Sequence, residues 1–431
     1  MTGKTIGKTF SVCPVCLERI PAERLSSNGK VWLRKKCADH GVFKTLIWRG
    51  HQSFTDWTQS KGDALPGNPD CPDACGLCAG HMQSTCCTLL EVTARCNLNC
   101  SFCLAGGGSK KEPSLRELKS DLKKLTVPGE TLLQLSGGEP TMRDDLPEII
   151  AAAKQAGCKY VQLNSNVLRL AEDPEYLREL AEAGLSFVFM QFDGTEDAIH
   201  QKLRGRALFK IKQRAIENCS ALNIGVTLVP TLVPGVNIRN IGEMIRFAVS
   251  LSPAVRGVHF QPVSFFGRIP ALPSDDMRFT LDQLIFEIER QTDGGVKAKN
   301  LLPSCCDHPA CGFHGDFVIG TGCEIVPLSA RAETKAACCC VPATAEQNRE
   351  YVAKRWQRQA VSGANSGPGD LRDMEYFARR AKSHGFTITG MAFQDAGNLD
   401  LERLRRCSLH VYNAGKFVPL CAHYLTAWRT S

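Results

Sequence analysis

The chain has 431 residues, 52 Lys and Arg against 44 Asp and Glu for a net charge of +8, and 22 cysteines. A chain this long buries a core without covalent staples, so the cysteines argue against a secreted disulfide scaffold and for thiolate chemistry in a reducing compartment. No signal-peptide-like apolar stretch follows Met1 and no apolar run reaches about 18 residues, so a cytoplasmic location is expected, with peripheral contact at the inner face of a membrane left open.

In chain order, Cys13-Pro-Val-Cys16 and Cys37-Ala-Asp-His40 stand 20 residues apart, around the hairpin-like Ser26-Ser27-Asn28-Gly29-Lys30. This spacing gives four N/S ligands for one tetrahedral metal, and an imidazole among three thiolates favours zinc over iron. Residues 1–62 therefore read as a metal ribbon. In the segment 63–90, Cys71, Cys75, Cys78 and Cys86 fall within 16 residues with little hydrophobic periodicity. Four thiolates there suit a [4Fe–4S] cluster or a zinc ion.

Residues 91–290 carry an alternating pattern. An apolar strand, Leu89 to Thr93, leads into Cys96-Asn-Leu-Asn-Cys100-Ser-Phe102-Cys103. Three thiolates at this spacing hold three irons of a [4Fe–4S] cube and leave the fourth for a substrate or cofactor. A second strand, Thr131 to Leu135, ends in Ser136-Gly137-Gly138-Glu139-Pro140, whose glycines let backbone approach a ligand. Asp144 and Asp145 suit a helix start, Leu146, Ile149, Ile150 and Ala153 keep helical spacing, and Gly157 suits the stop. Strands follow at Tyr160 to Asn164, Leu185 to Phe192, Val226 to Thr231 and Val258 to Val263. Helices are expected at Pro174 to Ala183, Lys212 to Leu222 and Ile241 to Val249. Six strands alternating with helices predict an α/β fold, a partial (βα)6 TIM-like barrel with a wide mouth. At that mouth the strand-end residues Asn166, Gln191, Asp193 and Gln261 are candidate cofactor or substrate contacts, or loop caps.

Residues 291–431 form a C-terminal cysteine-rich region with Cys305, Cys306, Cys311, Cys407 and Cys421 dispersed along it. His308, His314 and His410 read as hydrogen-bonding loop histidines, and Cys338, Cys339 and Cys340 as an exposed reactive segment. The basic runs Arg34-Lys35-Lys36 and Arg403 to Arg406 read as solvated faces, and no nucleic-acid partner is expected.

The cysteine loop and the Gly-Gly-Glu-Pro strand end together resemble the radical SAM superfamily. That resemblance implies that Cys96, Cys100 and Cys103 hold a [4Fe–4S] cluster and that S-adenosylmethionine chelates its open iron. It implies too that Gly137, Gly138, Glu139 and Pro140 border the methionine moiety, that Phe102 lies near the adenine, and that Asn166 and Asp193 touch the cofactor. A reducing partner such as a flavodoxin or ferredoxin follows. The block Cys71 to Cys103 and the tail Cys407…Gly415…Pro419-x-Cys421 resemble a narrower branch, that of tetraether lipid synthase. This implies auxiliary clusters on Cys71, Cys75, Cys78 and Cys86 and on Cys306, Cys311, Cys407 and Cys421. A zinc or rubredoxin-like iron would occupy Cys13, Cys16, Cys37 and His40. The implied reaction is radical carbon–carbon bond formation on a long-chain lipid, by an oxidoreductase or transferase. The tail departs from that branch at Cys421-Ala-His423-Tyr424, so alkylation or methylation of a small molecule such as a pterin stands as an alternative. Peptide maturation is a further one, expected to show as an N-terminal winged helix.

Overall fold

In the computed structural model the described residues are 3–58, 71–73, 76–104, 112–268, 273–330, 344–358 and 373–428. Cys75 and the Cys338 to Cys340 run lie outside them.

The N-terminal part is an antiparallel sheet of four strands, β1 (Lys4–Val12), β2 (Arg19–Ser27), β3 (Lys30–Cys37) and β4 (Gly41–Trp48), in sequential order. Asn28 and Gly29, both at positive φ, make the two-residue turn between β2 and β3, the conformation that lets a tight hairpin follow strand twist. A ribbon stands here and not a winged helix.

The barrel strands appear as β5 (Cys87–Thr93), β6 (Leu132–Gly137), β7 (Tyr160–Ser165), β8 (Phe187–Gln191), β9 (Gly225–Val229) and β10 (Val255–Pro262), each pairing in parallel with the next. The longer helices between them are α1 (Leu115–Leu125), α2 (Leu146–Ala156), α3 (Pro174–Glu182), α4 (Asp197–Arg204), α5 (Phe209–Ala221) and α6 (Ile241–Ser250). Pro230 follows β9 directly, and the chain pairs again only at Thr231–Leu232, because proline has no N–H for the ladder. Helix α2 starts where expected, but Asp145 makes no cap bond; its carboxylate takes two bonds from Arg143 instead.

Side chains alternate across each strand. Leu133, Leu135, Val161, Leu163, Val188, Met190, Val226, Leu228, Val258 and Phe260 are buried in the main core beneath the helices. The opposite face carries Gln134, Gln162, Asn164, Gln191 and Gln261, which line the barrel interior. Both faces of a parallel sheet are usually apolar, so this amide face is a departure that points to a ligand space.

The sheet continues beyond the barrel at both edges. Strand β11 (Gly312–Ile319) pairs antiparallel with β12 (Gly385–Met391), which runs parallel to β10. On the other side β13 (Leu409–Asn413) pairs in parallel with β5 and antiparallel with β14 (Lys416–Pro419). Helix α7 (Ala345–Trp356) meets the strand N-terminal end, where Leu132, Phe187, Phe189, Ala353 and Trp356 form one apolar cluster.

The basic runs are solvated only in part: Arg34 and Lys36 are exposed, but Lys35 and Arg403 are buried. Lys35 is 2 % exposed and donates to Ser11 Oγ and to the Ala396 carbonyl, while strand alternation leaves Arg34 outward on Glu23. Arg403 is buried and donates to the Ala392 carbonyl and Cys311 Sγ. Arg24 closes the same junction with bonds to Asp400 and Glu402. Among the described residues no helix is long and apolar enough to cross a membrane.

Candidate active site and metal centres

The loop after β5 and the end of β6 are built as one piece. Gly138 N–H donates to the Thr93 carbonyl and Glu139 N–H to the Arg95 carbonyl, both at 2.8 Å, which ties the Gly-Gly-Glu segment to the residues just before Cys96. Gly137 holds φ at +125°, and a Cβ there would collide with the Thr93 carbonyl oxygen. A Cβ on Gly138 would collide with that of Arg95. Only glycines allow this contact.

The cysteine loop is clamped from two further elements. Cys103 and Arg268 exchange backbone bonds of 3.3 and 3.4 Å, and the Arg268 guanidinium reaches Asn99 Oδ1 and the Cys100 carbonyl. From the end of α4, the Leu203 carbonyl accepts from Ser101 N–H at 3.1 Å, and the Arg204 guanidinium lies against the Cys100 thiol. Cys96, Cys100, Phe102 and Cys103 face one cavity of about 400 Å³ that Gly137, Gly138 and Asn166 also line. Burial raises the Cys96 thiol above its ordinary range, with Glu139, Cys100 and Cys103 adding to the effect.

Several expected contacts take other roles. Asp193 is fully buried and does not reach the cavity. Its carboxylate receives Arg204 Nε and Nη2 at 2.7 Å each and Thr231 N–H at 3.2 Å. Burial opposes its charge, but Arg204 outweighs this and holds Asp193 below the usual carboxylate range. Asp193 is thus a positioning residue for Arg204, which does line the cavity. With its amide set so that the oxygen faces the same guanidinium, Gln191 accepts from Arg204 Nε and Nη1 at 3.1 and 3.0 Å. Glu139 borders the cavity, but its carboxylate is engaged by Thr141 N–H and Oγ, Ser165 Oγ and Asn166 N–H, stitching the ends of β6 and β7 together. Pro140 is buried in the following 3-10 turn and is not among the lining residues. Asn166 donates to Asn97 Oδ1 at 2.6 Å, and its carbonyl accepts from buried Lys212 at 2.7 Å. Burial pushes Lys212 down to about 8.

In the ribbon, ligand atoms of Cys13, Cys16, Cys37 and His40 all lie within 4.8 Å of one another. That closeness suits a single ion. The other cysteines regroup. Cys306 meets Cys86, joining two groups that sequence order keeps apart, and Cys86 faces the barrel cavity beside Asp307. Cys311, Cys407 and Cys421 are electrostatic neighbours of one another. Their sulfurs already have polar partners: Arg403 Nε donates to Cys311 at 3.4 Å and Gln394 N–H to Cys421 at 3.2 Å. Hydrogen bonds to sulfur are a feature of iron–sulfur ligands. Cys71 and Cys78 border a separate small cavity with His81, Leu404 and Arg405. His308 takes Ala310 N–H on Nδ1, and His410 contacts Thr85 Oγ1 and His81, so both have hydrogen-bonding roles. His314 sits in β11 against the Tyr351 ring and not in a loop.

A parallel open barrel whose first strand delivers a three-cysteine loop, braced by a Gly-Gly-Glu strand end, defines the radical SAM class of enzyme. Comparison with known proteins agrees. Residues 90–248 match the Radical SAM superfamily and residues 5–49 the HMPTM N-terminal zinc ribbon domain. The chain is 31% identical, over an alignment 477 positions long including gaps, to the 7,8-dihydro-6-hydroxymethylpterin dimethyltransferase of Methanocaldococcus jannaschii, covering 96% of this chain and 93% of that one. It is 30% identical to the Fe-coproporphyrin III synthase of Methanosarcina barkeri, over 51% of this chain and 56% of that one. Among solved structures, methylornithine synthase matches with a TM-score of 0.40 and 18% identity, over 51% of this chain and 64% of that one. The chain belongs to the radical SAM superfamily, uses a [4Fe–4S] cluster with S-adenosylmethionine, and carries its zinc ribbon at the N-terminal side. The relative that matches nearly end to end is a pterin methyltransferase, where the narrower resemblance pointed to lipid synthases.

Proposed function

We propose that this enzyme replaces a carbon-bound hydrogen in a small nitrogen heterocycle of the pterin class by an alkyl group, beginning from radical chemistry at the Cys96, Cys100 and Cys103 loop. The hydrogen leaves on 5′-deoxyadenosine, the alkyl group comes from a second S-adenosylmethionine that departs as the thioether, and the reductant supplies one electron to each S-adenosylmethionine. The observation that carries this reading is the cavity itself. The cysteine loop and the Gly137–Gly138 edge open into about 400 Å³, a volume within the range of small-molecule pockets, and the apolar cluster of Leu132, Phe189 and Trp356 lies at its inner end. That floor suits a compact substrate better than a long alkyl chain, and the nearly full-length relation to a pterin dimethyltransferase supports the same choice.

The donor sets fit their groups. Cys96, Cys100 and Cys103 would hold the catalytic cluster, and Cys13, Cys16, Cys37 and His40 one zinc ion. Cys311, Cys407 and Cys421 would ligate an auxiliary cluster, and the Cys86–Cys306 pair would supply two thiolates to another. When bound and reduced, the catalytic cluster and S-adenosylmethionine supply a 5′-deoxyadenosyl radical that removes hydrogen from a C–H bond. The chain's own task is positioning and exclusion of water: Gly137 and Gly138 admit the cofactor close to backbone, Arg204 and Arg268 fix the cysteine loop, and the barrel orients the substrate. A one-electron reductant of the flavodoxin or ferredoxin kind would supply the electrons.

The test is deuterium transfer. Anaerobic enzyme with dithionite, S-adenosylmethionine and a dihydropterin deuterated at its carbon-bound positions is expected to give deuterated 5′-deoxyadenosine. Deuterium arriving only from a deuterated alkyl lipid would overturn the proposal.

A further inference from the structure

Small parallel barrels fill their interior with Val, Ile and Leu. This one holds a row of amides instead. Gln134 of β6 and Gln162 of β7 are paired in register, and Gln162 Nε2 donates to Gln134 Oε1 at 3.1 Å and to Asn164 Oδ1 at 3.2 Å. All three side chains line the cavity. Among the described residues, Gln134 Nε2, Gln162 Oε1 and Asn164 Nδ2 have no protein partner, so the row presents a donor, an acceptor and a donor to the cavity. These amide atoms face the open cavity, where a polar ligand edge can meet them.

Aromatic rings stand in the same cavity. Phe189 and Trp356 have centroids 4.5 Å apart at 61°, and His259 lies 5.6 Å from Phe189. Two of the rings are tethered from β12: Trp356 Nε1 donates to Thr387 Oγ1 at 3.1 Å, and His259 Nδ1 pairs with Thr389 Oγ1 at 2.8 Å. Burial pushes His259 down to about 4, so at neutral pH it offers an uncharged ring whose Nε2 is open to a ligand.

We propose that the Gln134–Gln162–Asn164 row, with the Phe189, Trp356 and His259 rings, is the recognition site for a flat nitrogen heterocycle bearing a lactam edge. The N–H and C=O of the lactam meet the amide row, and the ring face packs on the aromatics. This rests on the proposed alkylation of a pterin and adds the residues that read it and the orientation they impose. Gln134 lies three residues before Gly137 on the same strand, about 10 Å deeper than the Gly-Gly-Glu edge. The lactam edge therefore points away from the cysteine loop, and the opposite edge of the ring system faces it and receives the alkyl group.

The test is binding to the anaerobically reconstituted full chain, read by ligand fluorescence. The probes are 7,8-dihydro-6-hydroxymethylpterin, its 4-O-methyl ether, which keeps the ring face but lacks the lactam N–H, and 7-deazaguanine. Iron content and S-adenosylmethionine binding report that each variant is folded. Wild type is expected to bind the dihydropterin at least about tenfold tighter than the ether. Gln162→Met should lose that discrimination, and Trp356→Leu should weaken both ligands alike. A folded Gln162→Met that binds the dihydropterin like wild type, or a wild type that does not distinguish the ether, overturns the inference and leaves pterin alkylation standing. Tight Gln162-dependent binding of 7-deazaguanine with none of the dihydropterin supports the lactam site and overturns the pterin reading. Binding of none of the three probes overturns the inference.

Discussion

The Asp193–Arg204 pair gives the sharpest test of how the cysteine loop is held. Its side chains are 0% and 6% exposed, and it is joined by two bonds of 2.7 Å. Asp193→Asn keeps the shape but leaves the guanidinium charge buried without its counter-ion. Breaking a buried pair in this way costs about 3–5 kcal/mol. Arg204→Met should cost a similar amount by stranding the carboxylate. The double variant Asp193→Asn/Arg204→Met removes both charges, so it should lie closer to wild type than the sum of the singles, with a coupling of about 3 kcal/mol or more. Urea midpoints of the reconstituted protein under anaerobic conditions measure all four. Because the folded state holds Asp193 below its ordinary value, the stability it contributes is present above the ordinary carboxylate range and is lost as pH falls through the folded value. The wild-type advantage over Asp193→Asn should therefore shrink on acidification. Singles costing under about 1 kcal/mol, or strictly additive, would refute the positioning role.

Other outcomes follow from the same geometry. Gly138→Ala places a Cβ against the Arg95 carbonyl, so equilibrium dialysis should show S-adenosylmethionine affinity reduced by about tenfold or more; affinity within twofold would contradict the backbone cradle. His40→Ala should empty the ribbon of zinc, read by elemental analysis, without lowering iron per chain, since among the described residues His40 groups with the ribbon cysteines Cys13, Cys16 and Cys37. Cys306→Ser should lower iron in step with Cys86→Ser, because the two thiols meet; loss of iron in only one of them would separate the pair.

The six barrel strands were legible because each combines an apolar helix-facing set with a glycine or polar terminus. Helix α1 was missed although Ser114 and Glu117 form a capping box, with Leu118, Leu122 and Leu125 buried behind it; the long polar run around it hid the periodicity. The role of Asp193 is not legible in the sequence, because a strand-end position does not reveal which way a carboxylate turns, and its partner Arg204 lies 11 residues on. The Cys86–Cys306 contact and the joining of β12 and β13 to the barrel edges link segments far apart in sequence, and local pattern carries no trace of such pairings. The inward amides were present in the strands, but their meaning depends on register, which sets Gln134 beside Gln162.

The most direct test of the central claim is the 5′-deoxyadenosine formed by anaerobically reconstituted enzyme with dithionite, compared with a Cys96→Ala/Cys100→Ala/Cys103→Ala variant whose iron and zinc are counted in parallel. Deoxyadenosine from wild type, lost in the variant together with about four irons while zinc stays constant, is the result expected. Equal deoxyadenosine from both proteins, or none from fully loaded wild type, would contradict radical chemistry at this loop.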